Sequence, residues 1–379
     1  MQKIKDYLFK EEKRMKKVMT TVLSTLVVSA LCACGGGTNA PKEAAQTTVA
    51  TQTEAVAETE SAEKEESDVA ADYSEITMKF GTSSAESTLT AKAFMDWGER
   101  LDAASGGKVK VDVYCSGVLG NNTEMVQGAQ MGTVDVVVIQ PAGIADMGAQ
   151  KMNLLSFPYL FGSYEQYYKT LFGEVGDELL RDVTDHVQGL IGFSYLPDGG
   201  RCYFTKGKAI RNINDIKGMK LRVQSYAIDS STAKAIGFSA TPTAFSELYS
   251  ALQTGVVDGA ENPLSGIDGN ALYEVSDYLT LDNHTYNIPV LVVSQKTWES
   301  LNEETQKLMK ETWMESVEEF YKPQLAEYEN GLLEKFKESG VEIVEVEDYD
   351  KWVEAVQPVW SEYGAGLEDL VSKVQTLAN

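Results

Sequence analysis

The sequence predicts an α/β protein of two lobes hinged like a clamshell and braced by a long C-terminal helix. Three observations lead there. Between 75 and 140 the apolar pattern switches from strand alternation to helical spacing and back, which reads β-α-β-α-β and implies parallel strands with helices on both faces. A second α/β series follows between 190 and 294. From Asn302 the pattern turns helical and runs to about Phe336, long enough to touch both units.

Each element has its own warrant. Ile76, Met78 and Phe80 alternate with Thr77 and Lys79, as in a half-buried first strand. Gly81-Thr-Ser-Ser84 then turns the chain. Leu89, Phe94, Trp97 and Leu101 mark a helix, and Val109, Val111 and Val113 a second strand. A helix over 123–131 leads into Val134–Ile139, a continuous apolar run of the kind covered on both faces. The second series has strands over Leu190–Leu196, Arg201–Thr205 and Met219–Gln224. Helices at 228–236 and Ser246–Thr254 follow, then strands at Val256–Ala260 and Leu291–Ser294. Asn302 caps the long helix, with Glu303 and Glu304 in its first turn, where acids suit the helix dipole. Leu301, Leu308, Met309, Trp313, Val317 and Phe320 form its apolar face, and Pro323 is expected to kink or divide it. A strand at Ile343–Val346 and an amphipathic tail after Asp348 close the chain. The lobes expected are 74–198 with 288–325, and 199–287 with 326–379.

With 379 residues, 43% of them hydrophobic, the chain can fill two cores. Its formal charge of −24, with no stripe of Lys and Arg in the body, argues against nucleic-acid binding. Lys13, Arg14, Lys16 and Lys17 precede an apolar run at 18–31 that is too short for a membrane span and has the form of a signal peptide. Met15 suits the true start. The run ends Leu31-Cys32-Ala33-Cys34-Gly35, which resembles a bacterial lipobox, with cleavage before Cys34 and lipid on its sulfur; an ordinary secretory signal is the alternative. Residues 35–73 are small, polar and acidic, a composition that cannot bury enough surface to order itself, so a disordered acidic linker is expected. Cys115 and Cys202 fall in different elements and read as free thiols.

Motifs for chemistry are missing. The two histidines, His186 and His284, stand in no zinc-binding pattern, and there is no nucleophile elbow, phosphate loop or dinucleotide fingerprint. No cofactor or metal is expected. What stands out is Gly-Met-Lys-Leu-Arg-Val-Gln at 218–224, where Lys220, Arg222 and Gln224 alternate with Leu221 and Val223. A cation in an interior strand of an acidic chain either pairs with a carboxylate on a solvated face or faces a cleft and holds an anion. Arginine's planar fork suits a carboxylate and stays charged at any working pH.

The stretch 240–263, Ala-Thr-Pro-Thr-Ala-Phe-Ser-Glu-Leu-Tyr through Asp-Gly-Ala-Glu-Asn-Pro, closely resembles the solute-binding proteins of tripartite ATP-independent periplasmic (TRAP) transporters, the DctP-type family. Gly117-Val-Leu-Gly120, Gln127–Asp135, Phe157-Pro-Tyr-Leu-Phe161 and Ile216–Val223 match in order, so the resemblance spans about 75–350. It implies a periplasmic-binding-protein-like clamshell that is not an enzyme. Such a protein captures an organic acid outside the cell, lipid-anchored to the bacterial membrane, and delivers it to the membrane subunits of a TRAP permease. It also implies roles. Arg222 would bridge to the ligand carboxylate, Arg201 and Asn262 would be further contacts, and Phe245 would line the ligand. Ser83, Ser84 and Gln140 would reach it from the first lobe, and Gln224 and Tyr226 would set specificity. Arg222-Val-Gln224 and Arg201-Cys-Tyr-Phe204 look more like the sugar-acid binders, such as those of hexuronates, than the C4-dicarboxylate binders. A binding protein of an ATP-driven importer shares the plan, and a surface-anchored enzyme is a further alternative.

Overall fold

The structure, a computed structural model, describes residues 72–378. The expected signal peptide at 1–34, Cys34 and all but the last two residues of the linker lie outside the described residues. Two sheets form the lobes. The first has five strands in the order β2-β1-β3-β10-β4: β1 Ile76–Gly81, β2 Val109–Tyr114, β3 Val136–Ile139, β4 Leu190–Tyr195 and β10 Val290–Ser294. The second has six in the order β11-β9-β5-β8-β6-β7: β5 Gly200–Thr205, β6 Lys220–Val223, β7 Ser239–Pro242, β8 Gly259–Pro263, β9 Tyr278–Tyr286 and β11 Glu342–Glu345.

Purely parallel pairing, the sequence expectation, holds only for part of each sheet. β1 runs parallel to β2 and β3, but β10 is antiparallel to β3 and β4. In the second sheet β5 is antiparallel to β8 and β9. The reason is the crossing of the chain. It leaves the first lobe at the carboxyl end of β4, and β10 re-enters from the second lobe at that same end, so it must run back along β3 and β4.

β8 lies three residues later than the expected Val256–Ala260. Val256 is exposed in a turn opened by Gly255 at φ +73°, while all of Gly259–Pro263 is buried between β5 and β6. β9 and the polar edge strand β7 give no apolar alternation. In β9 the inward positions include Thr280, Asp282 and His284, which are buried and polar.

The long helix runs through Glu303–Glu315, a π segment Ser316–Tyr321 and Lys322–Glu338. Asn302 caps it through a bond from Thr305 N–H to its Oδ1. Pro323 has no N–H and crowds the carbonyl four residues back, and the wider π turn just before it absorbs the misfit. That turn also shifts the buried face, so Tyr321 is fully buried and the expected Phe320 only half-buried. Trp313, Val317 and Tyr321 pack in the core of the first lobe, and Leu332 and Phe336 in that of the second. The helix therefore braces both.

The tail does not stay with the second lobe. Trp352 and Val356 pack there, but Val359, Leu367, Leu370 and Val374 join the core of the first. Gln166 donates to the carbonyl of Val374 at 2.8 Å. The helix Gln357–Tyr363 packs on the helix Ala227–Ile236 and the helix Glu368–Thr376 on the helix Glu174–His186, so the tail straddles the lobes.

Candidate ligand-binding cleft

Parallel strands in both sheets end at a common cleft. The chain after β1 supplies Ser83 and Ser84, the residue after β3 is Gln140, and the residue after β6 is Gln224. Carboxyl ends of parallel strands are where open α/β sheets bind ligands. The cleft has a cavity volume of ≈ 690 Å³. Arg201, Arg222, Asn262, Phe245, Gln224, Tyr226, Gln140, Ser83 and Ser84, all singled out in the sequence, line it together.

Arg222 sits on β6 and is 4% exposed. Its Nε donates to the Thr243 carbonyl at 3.0 Å, and its guanidinium carbon lies 5.7 Å from the centre of the Phe245 ring. No carboxylate among the described residues comes within ion-pairing distance of it. Burial lowers its pKa, Glu261 opposes this, and Arg201 adds to the lowering. A guanidinium nonetheless keeps its proton. The result is a buried cation with donors to spare on a cavity wall.

Arg201 on β5 is as buried but fully engaged. Its Nε donates to Glu261 Oε2 at 2.6 Å and its Nη2 to Glu261 Oε1 at 3.0 Å, a bidentate pair. Nη1 donates to Asn287 Oδ1 at 2.8 Å and Nη2 also to Asn262 Oδ1 at 3.3 Å. His284 stands on the far side of Glu261, with Nε2 3.6 Å from Oε2 and Nδ1 2.8 Å from Asp282 Oδ2. Burial pushes the Glu261 carboxyl up, but Arg201 and His284 outweigh it and hold it at about 2. Burial pushes the His284 imidazole down, and Asp282 and Glu261 outweigh that, raising it to about 9. Asp282, His284, Glu261 and Arg201 thus follow one another as a buried chain of acidic and basic side chains.

Asn262 links the two arginine environments. Its Oδ1 accepts from Arg201, while its Nδ2 is buried with no partner among the described residues. A buried donor left open costs roughly 1–3 kcal/mol. From the first lobe, Gln140 Nε2 donates to Asn287 Oδ1 at 3.1 Å. Asn287 Nδ2 in turn donates to Asp198 Oδ2 at 2.8 Å. Asp198, Asn287, Glu261 and His284 were not singled out by sequence. Each is a lone polar residue: the strand order β9-β5-β8 brings Glu261, His284 and the following Asn287 to Arg201, and Asp198, after β4, joins them through Asn287.

The fold is that of a two-lobed solute-binding protein. The chain belongs to the bacterial extracellular solute-binding protein family 7, DctP, whose profile matches residues 80–366. It is similar to the TRAP periplasmic solute-binding protein of Pseudomonas putida F1, solved with bound D-glucuronate. They share 29% identity with a TM-score of 0.76, covering 79% of this chain and 97% of that one. It is also similar to the sugar acid binding protein of Advenella mimigardefordensis, solved with galactonate, at 30% identity and a TM-score of 0.76 over 81% and 99%. The C4-dicarboxylate-binding periplasmic protein DctP of Rhodobacter capsulatus is 30% identical over 76% of this chain and 86% of its own length.

Proposed function

We propose that this chain is the lipid-anchored receptor of a TRAP transporter. It captures a sugar acid, such as a hexuronate, through an arginine–carboxylate bridge at Arg222 and hands it unchanged to the permease. One observation carries the choice of ligand. Among the described residues that line the cleft, one cation, Arg222, has no carboxylate within ion-pairing distance, because Arg201 is already paired with Glu261. One free cation suits one carboxylate. A C4-dicarboxylate would leave its second carboxylate without a cation, and burying an unpaired charge is costly. The rest of the wall suits a polyol. Ser83, Ser84, Thr90, Gln140, Gln224 and Asn270 offer donors and acceptors in mixed order.

Relatives support the same preference, since two solved neighbours hold D-glucuronate and galactonate. Arg222 alone does not suffice. A charge-assisted bond contributes about 1.5–3 kcal/mol, and micromolar binding needs about 8 kcal/mol. Closure of the lobes over the ligand, with Asn262 Nδ2 finding its acceptor, supplies the remainder.

A thermal-shift screen of the purified protein against D-glucuronate, D-galactonate, succinate and malate tests the ligand. A ligand that binds only the folded state raises the melting temperature. Shifts with the sugar acids and none with the dicarboxylates are expected, and the reverse pattern would refute the preference. The anchor has its own test. Cys34→Ala should release the protein from membranes, and continued lipid labelling in that variant would count against lipidation at Cys34.

A further inference from the structure

Asp229 stands in the first turn of the helix Ala227–Ile236, just behind the cleft wall. Its Oδ2 is shut off from solvent and has no hydrogen-bond partner among the described residues. It lines a separate small cavity of ≈ 40 Å³ with Arg201, Gln224, Glu261 and His284. Arg201 and Gln224 are walls shared with the ligand cleft. Arg201 and Tyr203 on β5, Glu261 on β8 and His284 on β9 line this cavity with Asp229, and Arg222 on β6 and Tyr226 at the start of its own helix act on it electrostatically. From the first lobe, Asp146 approaches the same helix start, accepting a hydrogen bond from the Ala227 N–H and acting on Tyr226.

We propose that Asp229 is a positioning residue for anion capture: when a carboxylate docks on Arg222, Asp229 takes up one proton. The step balances simply. The ligand enters as an anion, one proton passes from solvent to the Asp229 carboxylate, and no other bond changes. The inference rests on Arg222 being the anion anchor.

The physical reason is competition for one field. Burial, and then Glu261, disfavour an ionised Asp229, while Arg201 and Arg222 favour it, and the balance holds its carboxyl at about 7. A ligand carboxylate on Arg222 cancels part of that support, so the complex holds the proton more tightly than the free protein. By reciprocity, protonation of Asp229 leaves more of the Arg222 charge to the ligand. Affinity is therefore flat at acidic pH, where Asp229 already carries its proton. It falls as pH rises above neutrality, and flattens again once Asp229 ionises in the complex as well. A sugar acid's own carboxyl, with a pKa of about 4, stays ionised throughout.

Isothermal titration calorimetry of the purified protein with D-glucuronate and D-galactonate, from about pH 6 to about pH 9, tests this. Phosphate and Tris buffers differ in ionisation enthalpy and so report the proton. The expected result is a Kd that weakens several-fold above neutrality, by at most about tenfold per pH unit, with uptake of up to one proton. Asp229→Asn should bind with the acid-side Kd at every pH and show no buffer dependence. A wild-type Kd flat in pH with an enthalpy independent of buffer overturns the proposal, whether or not the variant folds. Retention of the full wild-type linkage in Asp229→Asn overturns it too. Binding without proton uptake leaves the sugar-acid preference standing, whereas binding of neither acid at any pH overturns both.

Discussion

Two arginines lie side by side in this cleft, equally buried and in opposite circumstances. Arg201 gives its donors to Glu261, Asn262 and Asn287, whereas Arg222 gives one to the Thr243 carbonyl. One is a structural ion pair, and the other has no carboxylate partner among the described residues and, in the function proposed above, is the anchor for an anion. Substitution should separate them. Arg222→Lys keeps the charge but loses the fork, so sugar-acid affinity should drop about tenfold to a hundredfold, ~1.5–3 kcal/mol, with the melting temperature of the free protein nearly unchanged. Fluorescence titration reads the first and a thermal melt the second; undiminished affinity would remove Arg222 from its role. Arg201→Ala should instead lower stability by about 3–5 kcal/mol, because Glu261 is left buried without its partner.

At the scale of elements, the links between the lobes converge on Asp198. This carboxylate follows β4 and accepts from Thr90, Ser265, Asn287 and Tyr321, at 3.3, 3.2, 2.8 and 2.7 Å. Those donors come from a first-lobe helix, a second-lobe helix, the return crossing and the brace. Tyr321→Phe removes one bond of a redundant set and should cost about 1 kcal/mol in a denaturant melt. Asp198→Ala strands every donor at once and should cost several times that; equal losses would show that the carboxylate is not the common node. How much of this was legible in sequence follows from the same geometry. Elements with clean apolar alternation, such as β1 and β2, could be read directly, and Arg222 stood out as a cation in an apparently interior strand of an acidic chain. β9 was hidden because Asp282 and His284 occupy inward positions that sequence periodicity expects to be apolar. Glu261 falls just beyond the strand expected at Val256–Ala260, although it lies inside β8, where Arg201 across the ladder makes its burial tolerable. Pro323 signals a disturbance, but the π segment that resolves it packs on the helix Leu89–Ala104, with Ser316 donating to the Ala93 carbonyl and Tyr321 to Asp198, partners to which no local motif points.

For the whole molecule, the buried titratable groups bias stability towards acid. His284, from 6.5 to about 9, Asp229, from 3.8 to about 7, and Glu329, from 4.5 to about 8, are all raised in the folded state. A raised folded pKa contributes stability that is full below the unfolded value and lost as pH climbs through the folded one. Glu261 acts oppositely, since its lowered value contributes stability that is lost only as pH falls below 4.5 towards about 2. The melting temperature of the ligand-free protein should therefore be higher near about pH 5 than near about pH 9. A melting temperature that rises over that range would contradict the charge assignments in the Arg201 network.

β10 lies inside the first sheet, between β3 and β4, yet comes from residues 290–294, after nearly all of the second sheet. Until that segment has been made, β3 and β4 have bare edges facing each other across a missing strand, the arrangement most open to mispairing. Neither lobe can be completed before the other has been largely synthesised, so the polypeptide cannot mature domain by domain as it emerges. Closing so distant a contact is slow. A chain made N-terminus first must therefore spend that interval unfinished, with the first sheet open between β3 and β4 until its last quarter arrives.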